Sequence, residues 1–132
     1  MFSDHAPARL IAVFDWELAT IGDPLADVGY LTATLAQADD PADTVFGALS
    51  AVTRGDGFPT REQMVARYEK RSGRLVTSLN WYQSLALWKA AIFMEGNLRR
   101  YLAGSTDDGF LELFHEGVPA LADKALSFAK PG

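Results

Sequence analysis

The residues with the clearest chemical potential are four carboxylates within thirteen positions, Asp15, Glu17, Asp23 and Asp27. Asp15 and Glu17 come directly after an apolar run, and the other two follow in the next loop and the segment after it. Carboxylate oxygens are common ligands of divalent cations. Phosphate groups approach such carboxylates only through a cation, because like charges repel. The pattern therefore indicates a metal-binding or phosphate-handling site within Arg9 to Leu31.

The four carboxylates differ in how well a purely structural role explains them. Asp23 precedes Pro24 and is predicted to cap a helix, and Asp27 is favoured near the positive end of the same helix. Glu17 fits a solvated loop as well as a ligand position. Asp15 directly follows five apolar residues, so we expect it to be partly desolvated and to need a cation or several hydrogen bonds. Asp15 is the leading metal-ligand candidate.

The elements around these residues predict an α+β fold that is mainly α. The apolar run Arg9 to Phe14 predicts a strand covered on both faces, with at most a hairpin partner before it. Four to five helices are expected to follow. They are predicted at about Pro24 to Gln37, within Asp39 to Val52, from a Thr60–Gln63 capping box to Gly73, at Asn80 to Ala103, and from Asp107 or Asp108 onward with a kink at Pro119.

The longest predicted helix carries an apolar stripe. Its members are Trp81, Leu85, Trp88 and Ile92, widened by Ala91, Met94, Leu98 and Leu102. The helical spacing predicts that this stripe is buried in the core. Gly96 costs about 1 kcal/mol relative to Ala inside a helix, which favours close packing there. Trp81, Tyr82, Trp88 and Glu95 could instead line a substrate pocket, although the spacing favours core.

Composition excludes several classes of protein. The chain has 132 residues, a net charge of −5 and a sequence pI of about 4.9, without a dense basic stripe, so nucleic-acid and anionic-membrane partners are not expected. The absence of cysteine excludes a disulfide framework and thiolate metal sites. The apolar runs fall short of the roughly 20 residues of a spanning helix, and no signal peptide is recognisable. A cytoplasmic location is expected.

The run VFDWELATIGDPLADVGYL resembles the metal-binding segment of the aminoglycoside phosphotransferase family. It is most similar to the branch that resembles the kinase-like domain fused to acyl-CoA dehydrogenases. The matching positions are Asp15-Trp16-Glu17, Gly22-Asp23-Pro24 and Asp27-Val28-Gly29, with a looser similarity from Asn80 to Gly104. The resemblance implies the C-terminal-lobe portion of a protein-kinase-like fold.

The resemblance also implies roles for individual residues. Asp15 would bind the Mg²⁺ that bridges the ATP phosphates, as the corresponding Asp does in kinases. Glu17 would be a second metal ligand, or it would contact the groups that bind the metal and not the metal itself. Asp27 would hydrogen-bond the backbone of a catalytic loop, and Asp23 would keep its capping role. The implied reaction is Mg²⁺-dependent transfer from ATP to the hydroxyl of a small-molecule acceptor that the sequence does not specify.

Other parts of the family pattern are absent from this chain. A complete member carries a nucleotide-covering loop, a phosphate-contacting Lys and a catalytic loop of the form HGDxxxxN. His5 is not followed by Gly-Asp, and both it and His115 are expected to be structural or surface residues. Residues 1–132 are thus expected to form one partial domain that contains no catalytic residue and is inactive alone. Apolar surface left open by this truncation predicts a homodimer or higher oligomer.

Two other functions are compatible with parts of the pattern. A haloacid-dehalogenase-like phosphatase places DxDx(T/V) after an N-terminal strand, but here Glu17 and Ala19 depart from that motif, and no alternating αβ units follow. A non-catalytic helical interaction module, in which the acidic cluster is only structural, remains an open alternative.

Overall fold

The computed structural model describes residues 1–15, 17, 19–40 and 50–130. Four α-helices lie within these ranges: α1 (Leu25–Thr34), α2 (Arg61–Ser72), α3 (Leu79–Leu102) and α4 (Phe114–Ala129). Short 3₁₀ helices span Ala51–Arg54 and Gly109–Leu113. The helix predicted within Asp39 to Val52 falls largely outside the described residues. None of the described helices is long and apolar enough to cross a membrane.

The N-terminal segment does not form the predicted strand. Among the described residues its only β pairing is an isolated antiparallel bridge between Phe2 and Leu10, supported by a 3.1 Å hydrogen bond from Ile11 N to Met1 O. Leu10 is 62% exposed, so the prediction that Arg9 to Phe14 is covered on both faces is wrong. A strand is stable only when neighbouring strands satisfy its backbone and a packed layer covers it. The mainly helical part of the predicted fold class is what the structure shows.

The core forms where α3 packs against α4 along much of its length and against α1 on a neighbouring side. Leu87, in the middle of α3, is fully buried. Several core positions are alanines, whose small side chains let the helix axes approach closely. The core cluster comprises Ala33, Leu87, Ala91, Met94, Leu98, Phe114, Leu121 and Ala125.

The face of α3 that enters this core is not the one that contains the tryptophans. The structure leaves Trp81, Trp88 and Ile92 59%, 56% and 53% exposed and Leu102 61% exposed, so their prediction as core residues is wrong. Ala91, Met94 and Leu98 are buried as expected. Because α3 carries large apolar residues on more than one face, its periodicity predicts a helix but does not determine which face is covered.

The start of α2 follows the predicted capping pattern. Thr60 Oγ1 accepts a hydrogen bond from Gln63 N at 3.2 Å, while Thr60 N donates to Gln63 Oε1 at 2.9 Å. The helix ends at Gly73 in the left-handed region, with φ of 70°, where glycine has no Cβ penalty. Both ends of α2 are therefore determined locally, although its predicted buried face is only half-buried.

Arg61 connects the end of α1 to the start of α2. Its Nε donates to Thr32 O at 3.0 Å and one terminal nitrogen donates to Leu35 O at 2.7 Å. Its guanidinium also forms a two-pronged ion pair with Asp40. The last carbonyls of a helix lack partners within the helix, so Arg61 satisfies groups that would otherwise need water. The Arg61 guanidinium holds the pKa of Asp40 below its usual range.

Candidate functional site

Asp15 lies at the end of the extended N-terminal segment in an uncommon backbone conformation. Its φ is 60°, a region that only a few per cent of non-glycine residues adopt and in which Asp is enriched. The residue is exposed, so the predicted desolvation is wrong. Within the part of the chain that the structure describes, its carboxylate has no hydrogen-bonded or ionic partner. The oxygens of Asp15 are thus free to bind a ligand from solvent.

Glu17 is also exposed, and Trp16 between the two carboxylates lies outside the described residues. No group of three or more potential metal-ligating side chains occurs among the residues described. Mg²⁺ does not require one, since it commonly takes one or two protein carboxylates and completes its octahedron with water and substrate phosphates. The donors available at Asp15 and Glu17 fit Mg²⁺ shared with a phosphate ligand.

Both carboxylate oxygens of Asp23, an exposed residue, accept hydrogen bonds from other parts of the chain. Oδ1 accepts a hydrogen bond from Leu25 N at 3.0 Å, and Oδ2 accepts one from the Tyr82 hydroxyl at 2.5 Å. The Tyr82 bond lowers the pKa of Asp23 and raises the pKa of Tyr82. Helix α1 begins at Leu25, one residue later than predicted, which is within the normal uncertainty of helix ends. The Asp23 side chain joins the start of α1 to α3.

Gly29 lies at a close approach between α1 and α3. A Cβ at this position would lie 2.5 Å from Tyr82 Cβ and 2.7 Å from Tyr82 C, far inside van der Waals contact. Only glycine permits this backbone approach without a shift. Asp23 and Gly29 therefore share one partner on α3, a relationship that the motif spacing alone did not reveal.

Asp27 lies at a cavity of about 500 Å³ between α1 and α3. Tyr30, Tyr82, Lys89 and Phe93 also line it. This volume falls within the range of small-molecule sites, as does the mixture of apolar walls with a few polar groups. Among the residues that the sequence suggested for a pocket, Tyr82 lines this cavity. Lys89 was not among the residues predicted for a site, although a lone cation in the apolar middle of α3 could have indicated it.

The other residues suggested for the site lie elsewhere. Trp81 and Trp88 line a separate groove between α3 and α4, and Glu95 is exposed on α3. His5 is exposed, with Nδ1 3.1 Å from Asp4 Oδ1, and His115 is exposed on α4. The exposure of His5 and His115 matches the surface role expected for both histidines.

The carboxylate segment can be compared with known protein families. Residues 1–64 match the family described as "Phosphotransferase enzyme family", and this range contains all four carboxylates. This part of the chain, slightly less than half of its length, is similar to that family. The resemblance inferred from the Asp15 to Gly29 motif is confirmed.

Known relatives extend the similarity over most of the chain. Acyl-CoA dehydrogenase family member 11 from Mus musculus is 33% identical over 126 residues, and the Homo sapiens protein of the same name is 31% identical over 126 residues. Both alignments cover 92% of this chain but 16% of the relative. The probable acyl-CoA dehydrogenase IBR3 from Arabidopsis thaliana is 26% identical over 104 residues, which cover 76% of this chain and 13% of the relative. No solved structure matches the chain.

Proposed function

We propose that this chain contributes the metal-binding segment of a Mg²⁺-dependent phosphotransferase that transfers a phosphoryl group from ATP to the hydroxyl of a small molecule. The observation that carries the proposal is the match of residues 1–64 to the phosphotransferase enzyme family, over the range in which Asp15 is exposed and without a partner among the described residues. Because the chain spans only about one sixth of its relatives' length, the activity belongs to a longer protein.

Asp15 is the residue proposed to hold Mg²⁺, with Glu17 as a second ligand. The bound cation would neutralise negative charge on the phosphate oxygens. Without the cation, a chain with a net charge of −5 would repel a nucleoside triphosphate from this segment. The left-handed backbone at Asp15 turns the chain at the point where its carboxylate is presented to solvent.

Asp23 and Asp27 have other roles in this proposal. Asp23 positions the loop after the metal-binding residues, because it binds the first turn of α1 and Tyr82 of α3 simultaneously. Asp27 lies beside the cavity between α1 and α3, where Tyr82 and Lys89 offer polar contacts. We place the acceptor in this cavity, since it has suitable volume and adjoins the carboxylate segment in sequence.

One observation favours a non-catalytic module as a second candidate. Within the described ranges, two features of the motif, the Asp23 hydrogen bonds and the close approach of Gly29 to Tyr82, are architectural. A helical module that only binds a partner would keep these contacts without using Asp15. The two candidates differ in what happens when Asp15 is changed.

The test uses the longer protein. Asp15→Asn keeps the size of the side chain and removes its charge, so we expect ATP-dependent phosphoryl transfer to fall by roughly 100-fold or more. Mn²⁺ binding measured by calorimetry should weaken in the same variant. Asp107→Asn, another exposed carboxylate, is the matched control and should change neither quantity. Full transfer activity and full Mn²⁺ binding in Asp15→Asn would contradict the proposal and favour the module.

The chain by itself is proposed to be inactive, since neither histidine lies in a catalytic-loop sequence. Purified 132-residue protein should show no ATP hydrolysis above a metal-only blank. A turnover that requires Mg²⁺ and disappears in Asp15→Asn would overturn this part of the proposal while supporting the role of Asp15.

A further inference from the structure

One side of α3 carries four large apolar side chains separated by four, three and four residues: Trp81, Leu85, Trp88 and Ile92. This is the spacing of a seam between two packed helices. Three of the four are more than half exposed in the folded chain. We refer to these four residues as the tryptophan face.

The tryptophan face points away from most of the candidate site. The cavity between α1 and α3 uses Tyr82, Lys89 and Phe93, whereas Trp81 and Trp88 border the groove toward α4. Leu85 lies at the boundary and lines both. A molecule covering the tryptophans would therefore leave most of the cavity wall untouched.

The tryptophan face is large enough to contribute to an interface with a macromolecule. Each half-exposed tryptophan leaves about 150 Å² open, so the two supply about 300 Å² of the roughly 800 Å² that each partner buries in a standard interface. Ile92 and Leu126, both more than half exposed, extend the same surface.

We propose that the tryptophan face binds a second copy of this chain, with α3 packed antiparallel against α3 across a two-fold axis. Such an interface uses the same patch on both copies. The next two seam positions after Ile92 are Glu95 and Arg99. A parallel pair would place like charges opposite each other, whereas an antiparallel pair places Arg99 of one copy near Trp81 of the other, in a favourable cation–π arrangement.

Sedimentation velocity of the 132-residue chain tests the proposal. The wild-type chain should form dimers at tens of micromolar. Trp88→Ser should weaken association by about 30-fold or more, as expected for a central interface tryptophan. Phe93→Ser is the matched control, because Phe93 is 68% exposed on the cavity side of the same helix, and it should leave the dimer unchanged.

A second variant keeps the test decisive if Trp88→Ser folds poorly. Arg99 is exposed, so Arg99→Glu should preserve the helix, as checked by circular dichroism, and weaken the dimer several-fold. Three results would overturn the proposal: a wild-type chain that stays monomeric at tens of micromolar, equal losses in Trp88→Ser and Phe93→Ser, or unchanged association in Arg99→Glu. If the wild-type chain stays monomeric, we would instead expect the tryptophan face to bind a helix from another part of a longer protein.

Discussion

The hydroxyl of Tyr82 donates a 2.5 Å hydrogen bond to Asp23 Oδ2 across the junction of α1 and α3. Gly29, six residues after Asp23 and in the second turn of α1, approaches the backbone of the same tyrosine. Two positions of the GDPxxDVG segment therefore converge on one residue more than fifty positions later in the chain. Part of a motif that resembles a phosphate-handling site in sequence is devoted to docking one helix on another.

Tyr82→Phe removes the hydroxyl and keeps the ring. Because the Tyr82 hydrogen bond is the main reason that the pKa of Asp23 is low, the pKa of Asp23 should rise toward its ordinary value in this variant. Carboxyl NMR titration measures the change directly. Tyr30→Phe, which alters another tyrosine lining the same cavity, should leave the Asp23 titration where it was; equal shifts in both variants would contradict the assignment.

Replacing Gly29 or Gly96 by alanine should change the free energy of unfolding in opposite directions. Gly29→Ala forces a methyl group against Tyr82 and should lower the free energy of unfolding by about 1–3 kcal/mol, as overpacking does. Gly96 has no atom within 4 Å of an added Cβ, contrary to the close packing predicted there. Gly96→Ala should therefore stabilise the chain by up to about 1 kcal/mol. Urea unfolding measures both, and changes of the same sign would refute the explanation.

Arg61→Lys tests the connection between α1 and α2. A lysine ammonium lacks the planar fork with which arginine donates to two carbonyls and both oxygens of Asp40 at once. Leaving these partly buried acceptors unpaired should lower the free energy of unfolding by about 2–3 kcal/mol. Arg67→Lys, at an exposed position of the same helix, is the control. A loss of similar size in the control would show that the Arg61 network is not responsible.

The free energy of unfolding should depend on pH through the protonation of Asp40. Its folded-state pKa is lowered, chiefly by the hydrogen bond from Arg61, while an unfolded aspartate titrates near 3.9. The contribution of Asp40 is therefore fully present above about pH 4 and is lost as pH falls through the lower folded-state pKa. Asp40→Asn should be less stable than wild type at neutral pH and should show a shallower loss on acidification.

Urea unfolding between neutral pH and about pH 2 provides the measurement for Asp40. Asp39→Asn changes the neighbouring exposed carboxylate and should retain the wild-type acid dependence. If Asp40→Asn and wild type lose stability in parallel on acidification, Asp40 does not carry the effect.

The sequence by itself determined the features that depend on neighbouring residues. The Thr60–Gln63 capping box, the left-handed Gly73 and the extent of α3 to within one residue at each end were all predictable. These features depend on interactions within one or two helical turns, which the local sequence contains. The carboxylate motif was likewise readable from Asp15 to Gly29, and the family match supports it.

Only the tertiary structure decided which surfaces are covered. Helix α3 is apolar on several sides, and its contacts with α1 and α4 selected the face of Leu87 and left Trp88 open. The strand expected from Arg9 to Phe14 needed distant partners that its own residues could not supply, and among the described residues only one bridge forms there. Burial and pairing depend on residues far away in sequence, so an apolar pattern indicates what could be covered while the packing of whole elements determines what is.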